Sequence, residues 1–219
     1  MSRNLILAGG WAHPVDQTAL PLAAALAASG LRSMVTDSLD AAAVVLETSN
    51  VELLTVHACQ FQMLDSRYSA EQRDTFARTT PPRWRAGVEA HISAGRPILA
   101  LHTAPICFDD WPRWGDIIGG RWNWQRSYHP PPGQFTVRPT DGIEFEVVDE
   151  LYCNLDVDTA VHVRATATDE DGVTQPLAWT FDGGGTRVAY CALGHDQRGL
   201  SNPGCRQLLG QLVDWLMVV

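Results

Sequence analysis

The 219-residue sequence contains no lysine; all 16 of its basic side chains are arginine. An internal lysine Schiff base, and with it the usual attachment of pyridoxal phosphate, is excluded. Positive charge is also outweighed: 25 acids stand against those 16 bases, a formal charge of −9. With little to offset phosphate repulsion, no nucleic-acid partner and no anionic membrane partner is expected. No apolar run approaches the ~20 residues of a membrane span, and the N-terminal Met1–Ala8 is too short for a secretory signal. A cytoplasmic protein is the expectation. The 5 cysteines are odd in number and scattered at 59, 107, 153, 191 and 205, with no CxxC pair. That spacing argues against a disulfide framework and against a thiolate zinc site. G-x-S-x-G, P-loop and G-x-G-x-x-G patterns are missing as well. Gly183-Gly-Gly185 lies between two strand signals, so it reads as a hairpin turn and not as a phosphate cradle.

What is present suits one globular domain spanning 1–219. Hydrophobic residues are 45% and charged residues 19%, an ordinary globular balance. A single domain of this size buries roughly 70% of its unfolded surface and needs no staple. The first hundred residues alternate strand and helix signals. Strands are expected at 4–8, 32–36, 53–57 and 97–101, the last almost wholly apolar, as in the middle of a parallel sheet. Helices are expected at 18–29, 37–47 and 81–94, with Gly30 and Gly95 as stops. This order implies an open parallel sheet with helices on both faces. The second half turns to short strands at 134–138, 144–148, 160–168, 177–181 and 187–192, the last two a hairpin. A final helix over 203–217 carries Leu208, Leu209, Leu212, Trp215 and Leu216 at helical spacing. Residues 58–80 are weakly patterned and are candidates for a lid or an interface.

Open parallel sheets place their crevice beyond the carboxyl ends of the strands. Gly9-Gly-Trp-Ala-His13, Val56-His57 and Leu101-His-Thr-Ala104 fall at such ends, as does Ala192-Leu-Gly-His195-Asp-Gln197. Any one of these histidines alone could simply bond local backbone. His13, His102 and His195 converging on one crevice could instead share a proton or hold a divalent metal such as zinc. Phe145-Glu-Val-Val-Asp-Glu-Leu-Tyr152 brings Glu150 and Tyr152 to another strand end. A carboxylate beside a histidine orients it, acts as a base or completes a metal site, although acidic pairs near turns are commonly solvated. Trp111, Trp114, Trp122 and Trp124 crowd one segment ahead of His129; tryptophans stack on sugar rings, but they also fill cores. Cys191 alternates with apolar neighbours and reads as a buried thiol.

Leu101-His-Thr-Ala104, Trp111, Ile118-Gly-Gly120, His129, Val148-Asp-Glu-Leu-Tyr152, Pro176-Leu-Ala-Trp179, Arg187-Val-Ala-Tyr190 and Leu193-Gly-His-Asp196 together resemble the ThuA-like (trehalose utilisation) family. The order and spacing match over about 97–217. The resemblance implies a flavodoxin-like α/β fold of the class I glutamine amidotransferase-like superfamily, an open, mostly parallel sheet with added antiparallel strands in the C-terminal half. Amidotransferases carry a cysteine nucleophile at the strand-to-helix elbow, the position His102 takes here. Their catalytic histidine would fall at His195, with Gln197 where a glutamate is usual. Glutamine hydrolysis by that triad is therefore not expected.

The resemblance also implies a part in disaccharide or oxidised-sugar catabolism, with a small-molecule carbohydrate as partner. Proton movement beside a sugar carbonyl needs a base, an acid and, in one version, a metal. On this expectation His102, His195, Glu150 and Tyr152 are catalytic, and Trp11, His13, Thr103, Trp111, His129 and Trp179 contact substrate. Two alternatives stand beside hydrolysis or isomerisation of a sugar. One is a non-catalytic carbohydrate-binding or regulatory protein on the same fold. The other is a homo-oligomeric scaffold built on 58–80 and Trp122–Trp124.

Overall fold

A computed structural model describes residues 2–218. Nine strands form the main sheet in the order β2-β1-β3-β4-β11-β10-β9-β6-β7. Its parallel half consists of β1 (Ser2–Gly10), β2 (Leu31–Thr36), β3 (Leu53–Cys59), β4 (Ile98–Leu101) and β11 (Val188–Cys191). Every residue of β3, β4 and β11 is buried, which is why these segments are largely apolar and show no inside–outside alternation, Thr55 and His57 of β3 being the polar exceptions. Counted along the parallel half alone, the order is the flavodoxin-like one, with β11 as fifth strand. The antiparallel half extends it through β10 (Thr174–Phe181), β9 (His162–Thr168), β6 (Gly133–Pro139) and β7 (Phe145–Asp149). The expected hairpin is the β10–β11 pair.

Helices flank the sheet in two groups. In one, α1 (Ala19–Ala27) packs with α6 (Gln197–Ser201) and α7 (Pro203–Met217); in the other, α2 (Leu39–Thr48) packs on α4 (Pro82–Ser93). Ser38 caps α2 by accepting from the Ala41 N–H. Asn202 caps α7 by accepting from Gly204 and Cys205, just ahead of Pro203 in the first turn. No described helix is long and apolar enough to cross a membrane.

The weakly patterned 58–80 segment holds a helix, α3 (Ala70–Phe76), opened by a capping box between Ser69 and Gln72. It turns inward: Tyr68 and Phe76 pack edge-on against Trp11. Trp122 is buried and Trp124 stacks on Phe61, so this aromatic segment covers its own chain. Four further elements lie outside the sequence expectation: α5 (Arg113–Ile118), α6, and the small pair β5 (Gly120–Arg121) with β8 (Asp156–Val157).

Candidate active site at the carboxyl edge of the parallel strands

Four histidines gather at the carboxyl ends of the parallel strands, each delivered by a different one. His13 follows β1, His57 lies in β3, His102 follows β4 and His195 follows β11. The turns that deliver them are tight. A Cβ at Gly10 (φ +107°) would overlap the Cys59 carbonyl of β3, so only glycine lets β1 turn toward His13 there. Ala12 (φ +57°) and His102 (φ +48°) are non-glycine residues in the left-handed region, a conformation that surrounding structure must hold in place. For His102 this is a sharp elbow directly after the central strand β4.

The ring centroids of His13, His102 and His195 form a near-equilateral triangle with sides of 5.0, 5.1 and 5.4 Å. Backbone carbonyls fix two of the tautomers. His13 donates from Nδ1 to the Trp11 carbonyl and His102 from Nδ1 to the Ala192 carbonyl, each at 2.7 Å. Nε2 of His13 is left with a free lone pair, buried without a partner, whereas Nε2 of His102 faces the Glu150 carboxylate and the Tyr152 hydroxyl. His57 donates from Nε2 to the Gly194 carbonyl at 2.8 Å. Burial, reinforced by the charge of His102, pushes His13 down to about 2 and His57 down to about 3, so both rings are neutral at physiological pH. His195 is also lowered, chiefly by burial.

Glu150 arrives from the far side of the sheet, just past β7. Its Oε2 lies 3.4 Å from His102 Nε2, 3.5 Å from His195 Nδ1 and 3.5 Å from His129 Nδ1. Burial alone would raise this carboxyl, but its hydrogen bond with His102 and the imidazole charges outweigh that and hold it below the usual range. His102 responds in the opposite sense: burial would lower it, and Glu150 together with Asp149 lifts it above the ordinary histidine value. Tyr152 stands with its hydroxyl 3.5 Å from His102 Nε2, and burial drives its phenol well above its usual range, so it stays protonated. The three deepest members, His13, His102 and Tyr152, are buried. The rim is formed by His195 and His129, whose side chains are 21% and 35% exposed, with Glu150 between them at 9%.

The acidic pair at 149–150 is not solvated; both residues are buried. Asp149 was not among the expected site residues. It accepts from the backbone N–H groups of Glu150 (2.8 Å), Gly194 (2.8 Å) and His195 (3.1 Å). One carboxylate thus ties the end of β7 to the loop that carries His195. No local motif announces this, because two of its partners lie 45 and 46 residues away. Trp122 is a second unexpected neighbour. It packs edge-on against Tyr152 and His129, and its buried indole N–H has no acceptor.

The structure places the side chains of several expected substrate-contact residues away from the histidine cluster. Trp179 is fully buried between sheet and helix: its N–H donates to the Ile118 carbonyl and its ring lies 4.1 Å from that of Tyr190, so it is core. Trp111 packs on Phe108 and Trp114 and lines a separate cavity of about 170 Å³ that no histidine borders. The Thr103 hydroxyl is spent on the Ala58 carbonyl. Trp11 serves through its backbone carbonyl, which orients His13, while its ring packs against Tyr68 and Phe76.

Among the described residues, His13, His102 and His195 are the group that could hold a metal ion, each offering one ring nitrogen within 4.8 Å of the others. A search of curated protein sequences found no match. Among solved structures, a ThuA-like protein from Parabacteroides merdae is similar with TM-score 0.74 and 17% identity, over 98% of this chain and 89% of that one. A ThuA-like protein from Bacteroides uniformis follows with TM-score 0.68 and 14% identity, over 98% and 91%. A protein from Salmonella typhimurium described as cytoplasmic has TM-score 0.61 and 10% identity, over 98% of each chain. The family model for ThuA, trehalose utilisation, matches residues 3–216. The chain belongs to the ThuA family.

Proposed function

We propose that this protein is an enzyme of sugar catabolism that moves a proton beside the carbonyl of an uncharged, oxidised sugar. The observation that carries the reading is Glu150: an ionised carboxylate at the mouth of the crevice, facing three imidazoles. A carbon next to a keto group is acidic enough for a positioned carboxylate to deprotonate. The C–H electron pair moves into the enolate. Return of a proton on a neighbouring carbon isomerises the sugar; departure of a glycosidic oxygen β to the carbonyl, with a proton from the site, cleaves it.

Glu150 is the base. Tyr152 and the His102 imidazolium beside it are the proton donors, with His195 and His129 at the rim where substrate enters. His129, part-exposed at the rim and stacked on the buried Tyr152, offers a ring face to a sugar. The groups facing Glu150 are imidazoles and not arginines, which suits a neutral sugar better than a phosphorylated one. The family description as trehalose utilisation supports a carbohydrate, and a cytoplasmic location accompanies such catabolism.

A second reading, non-catalytic sugar binding, is favoured by the burial of His13 and His102, which leaves only the rim to a ligand. Incubation with 3-keto disaccharides separates the two. The enzyme reading expects isomerised or cleaved product, reduced about 100-fold or more in His195→Ala. Binding without turnover in the wild type supports the second reading, and unchanged turnover in His195→Ala removes the assigned site.

A further inference from the structure

We propose that His13, His102 and His195 form a three-imidazole site for a borderline divalent cation of the zinc type, with Glu150 as the adjoining carboxylate. The proposal concerns the crevice of the sugar chemistry but stands on the ligand set alone.

Three features carry it. The first is convergence: three rings from three strand ends meet in a near-equilateral triangle, with ligand nitrogens within 4.8 Å of one another. Nitrogens about 2.1 Å from a zinc ion stand roughly 3.4 Å apart in a tetrahedron, so a small inward shift completes the set. The second is orientation. Histidine ligands characteristically donate their other ring N–H to a carbonyl or carboxylate, which fixes the tautomer and raises the basicity of the ligating nitrogen. His13 and His102 do this through the Trp11 and Ala192 carbonyls; His13 Nε2 is free, and His102 Nε2, which faces Glu150, becomes a ligand once its proton is displaced. His195 brings Nδ1 to 3.5 Å from Glu150. The third is an unmet need: His13 Nε2 and His195 Nδ1 are buried polar atoms without a partner, a costly condition that a cation relieves.

The donor chemistry narrows the ion. Imidazoles with one carboxylate suit zinc, nickel, iron(II) or copper(II), whereas calcium and magnesium call for oxygen ligands. Thiolate is not on offer: burial pushes Cys107 up to about 12, and Cys59 is raised well above its ordinary value. A bound cation would supply Lewis acidity toward a substrate oxygen and would take the place of the proton on His102 as the positive partner of Glu150.

The test is elemental mass spectrometry on the full chain. The protein is stripped with chelator, loaded with zinc chloride and gel-filtered, and its melting is recorded with and without zinc. The wild type should retain about one equivalent, and zinc at 100 times its dissociation constant should raise the melting midpoint by about 5–10 °C. His13→Ala and His195→Ala should lose both effects, while His91→Gln, remote from the triangle, should keep them. If His13→Ala does not fold, His195→Gln at the more exposed corner carries the comparison. No retention by the wild type, or retention by the variants equal to wild type, overturns the proposal. Retention with no effect on any keto sugar would leave this site standing and remove the sugar reading. Turnover by a protein that never retains metal would do the reverse.

Discussion

Asp149→Asn is the substitution that most sharply separates a buried positioning carboxylate from an incidental one. The change is isosteric, so packing is preserved while one acceptor becomes a donor and the negative charge that helps raise His102 is removed. The carboxylate accepts three backbone N–H groups, with Oδ1 serving Glu150 and His195 and Oδ2 serving Gly194. In the best orientation an amide keeps the two bonds at Oδ1 and turns its NH2 group toward the Gly194 N–H, donor against donor. One charge-assisted bond, worth about 1.5–3 kcal/mol, is lost, and a buried N–H is left unmet at about 1–3 kcal/mol more. The expected destabilisation is about 3 kcal/mol, or a fall in melting temperature of roughly 6–12 °C for a domain of this size. Turnover should fall as well, because the peptide holding His195 and the start of the Glu150 segment are no longer tied to one anchor. Gly199→Ala attacks the same contact from the other side, since a Cβ there would overlap the Asp149 carboxylate. Thermal unfolding followed by circular dichroism measures the first effect. A shift in Asp149→Asn below about 1 kcal/mol would refute the claim that this carboxylate holds the site together.

Trp179→Phe should destabilise the chain by about 1–3 kcal/mol, through loss of the indole bond to Ile118, and leave sugar binding unchanged; weakened binding in calorimetry at equal stability would return Trp179 to the site. All 5 cysteines are free and buried, with Cys191 pushed up to about 12 and Cys153 to about 11. Ellman titration at pH 8 should therefore find no fast-reacting thiol in the native chain and all of them in denaturant. His91, buried under a bond to the Pro97 carbonyl, is lowered by burial to about 4 against 6.5 when unfolded. The unfolded chain then binds the extra proton. Stability is held above pH 6.5 and falls by about 1.4 kcal/mol per unit toward pH 4, roughly 3 kcal/mol in all. Urea titrations of His91→Gln should show that slope flattened by one proton; an unchanged slope would place the titration elsewhere.

The parts of the fold most legible in the sequence are those where burial is complete or a terminus is chemically marked. The segment at 97–101 is apolar throughout, and 53–57 is apolar apart from Thr55 and His57, because both faces of β4 and β3 are covered. The last helix runs over the expected 203–217 because Pro203 and the Asn202 cap define its start. Short elements escaped: α5 and α6 have 6 and 5 residues, too few for a periodic pattern to emerge. The capping box at Ser69 was a readable signal for α3 that the loop-like composition around it masked. Strand-end position pointed to His13, His102, His195, Glu150 and Tyr152, which the structure brings close together. It could not tell a crevice residue from a core one. Trp179 sits in a strand buried on both faces, and Thr103 faces back toward β3, distinctions that depend on which sheet face a neighbouring helix covers. Asp149 was invisible for a related reason: its partners are backbone groups of a distant loop, and any sequence supplies those.

The central claim is that Glu150 removes a proton beside a sugar carbonyl, and solvent exchange tests it without knowledge of which bond is finally changed. A 3-keto disaccharide is incubated in heavy water with wild-type protein and with Glu150→Gln, and deuterium entering the carbons flanking the keto group is followed by proton NMR. The account predicts catalysed exchange in the wild type and a loss of about 100-fold or more in Glu150→Gln. Exchange at the uncatalysed rate with wild-type protein, or equal rates with the two proteins, would contradict it.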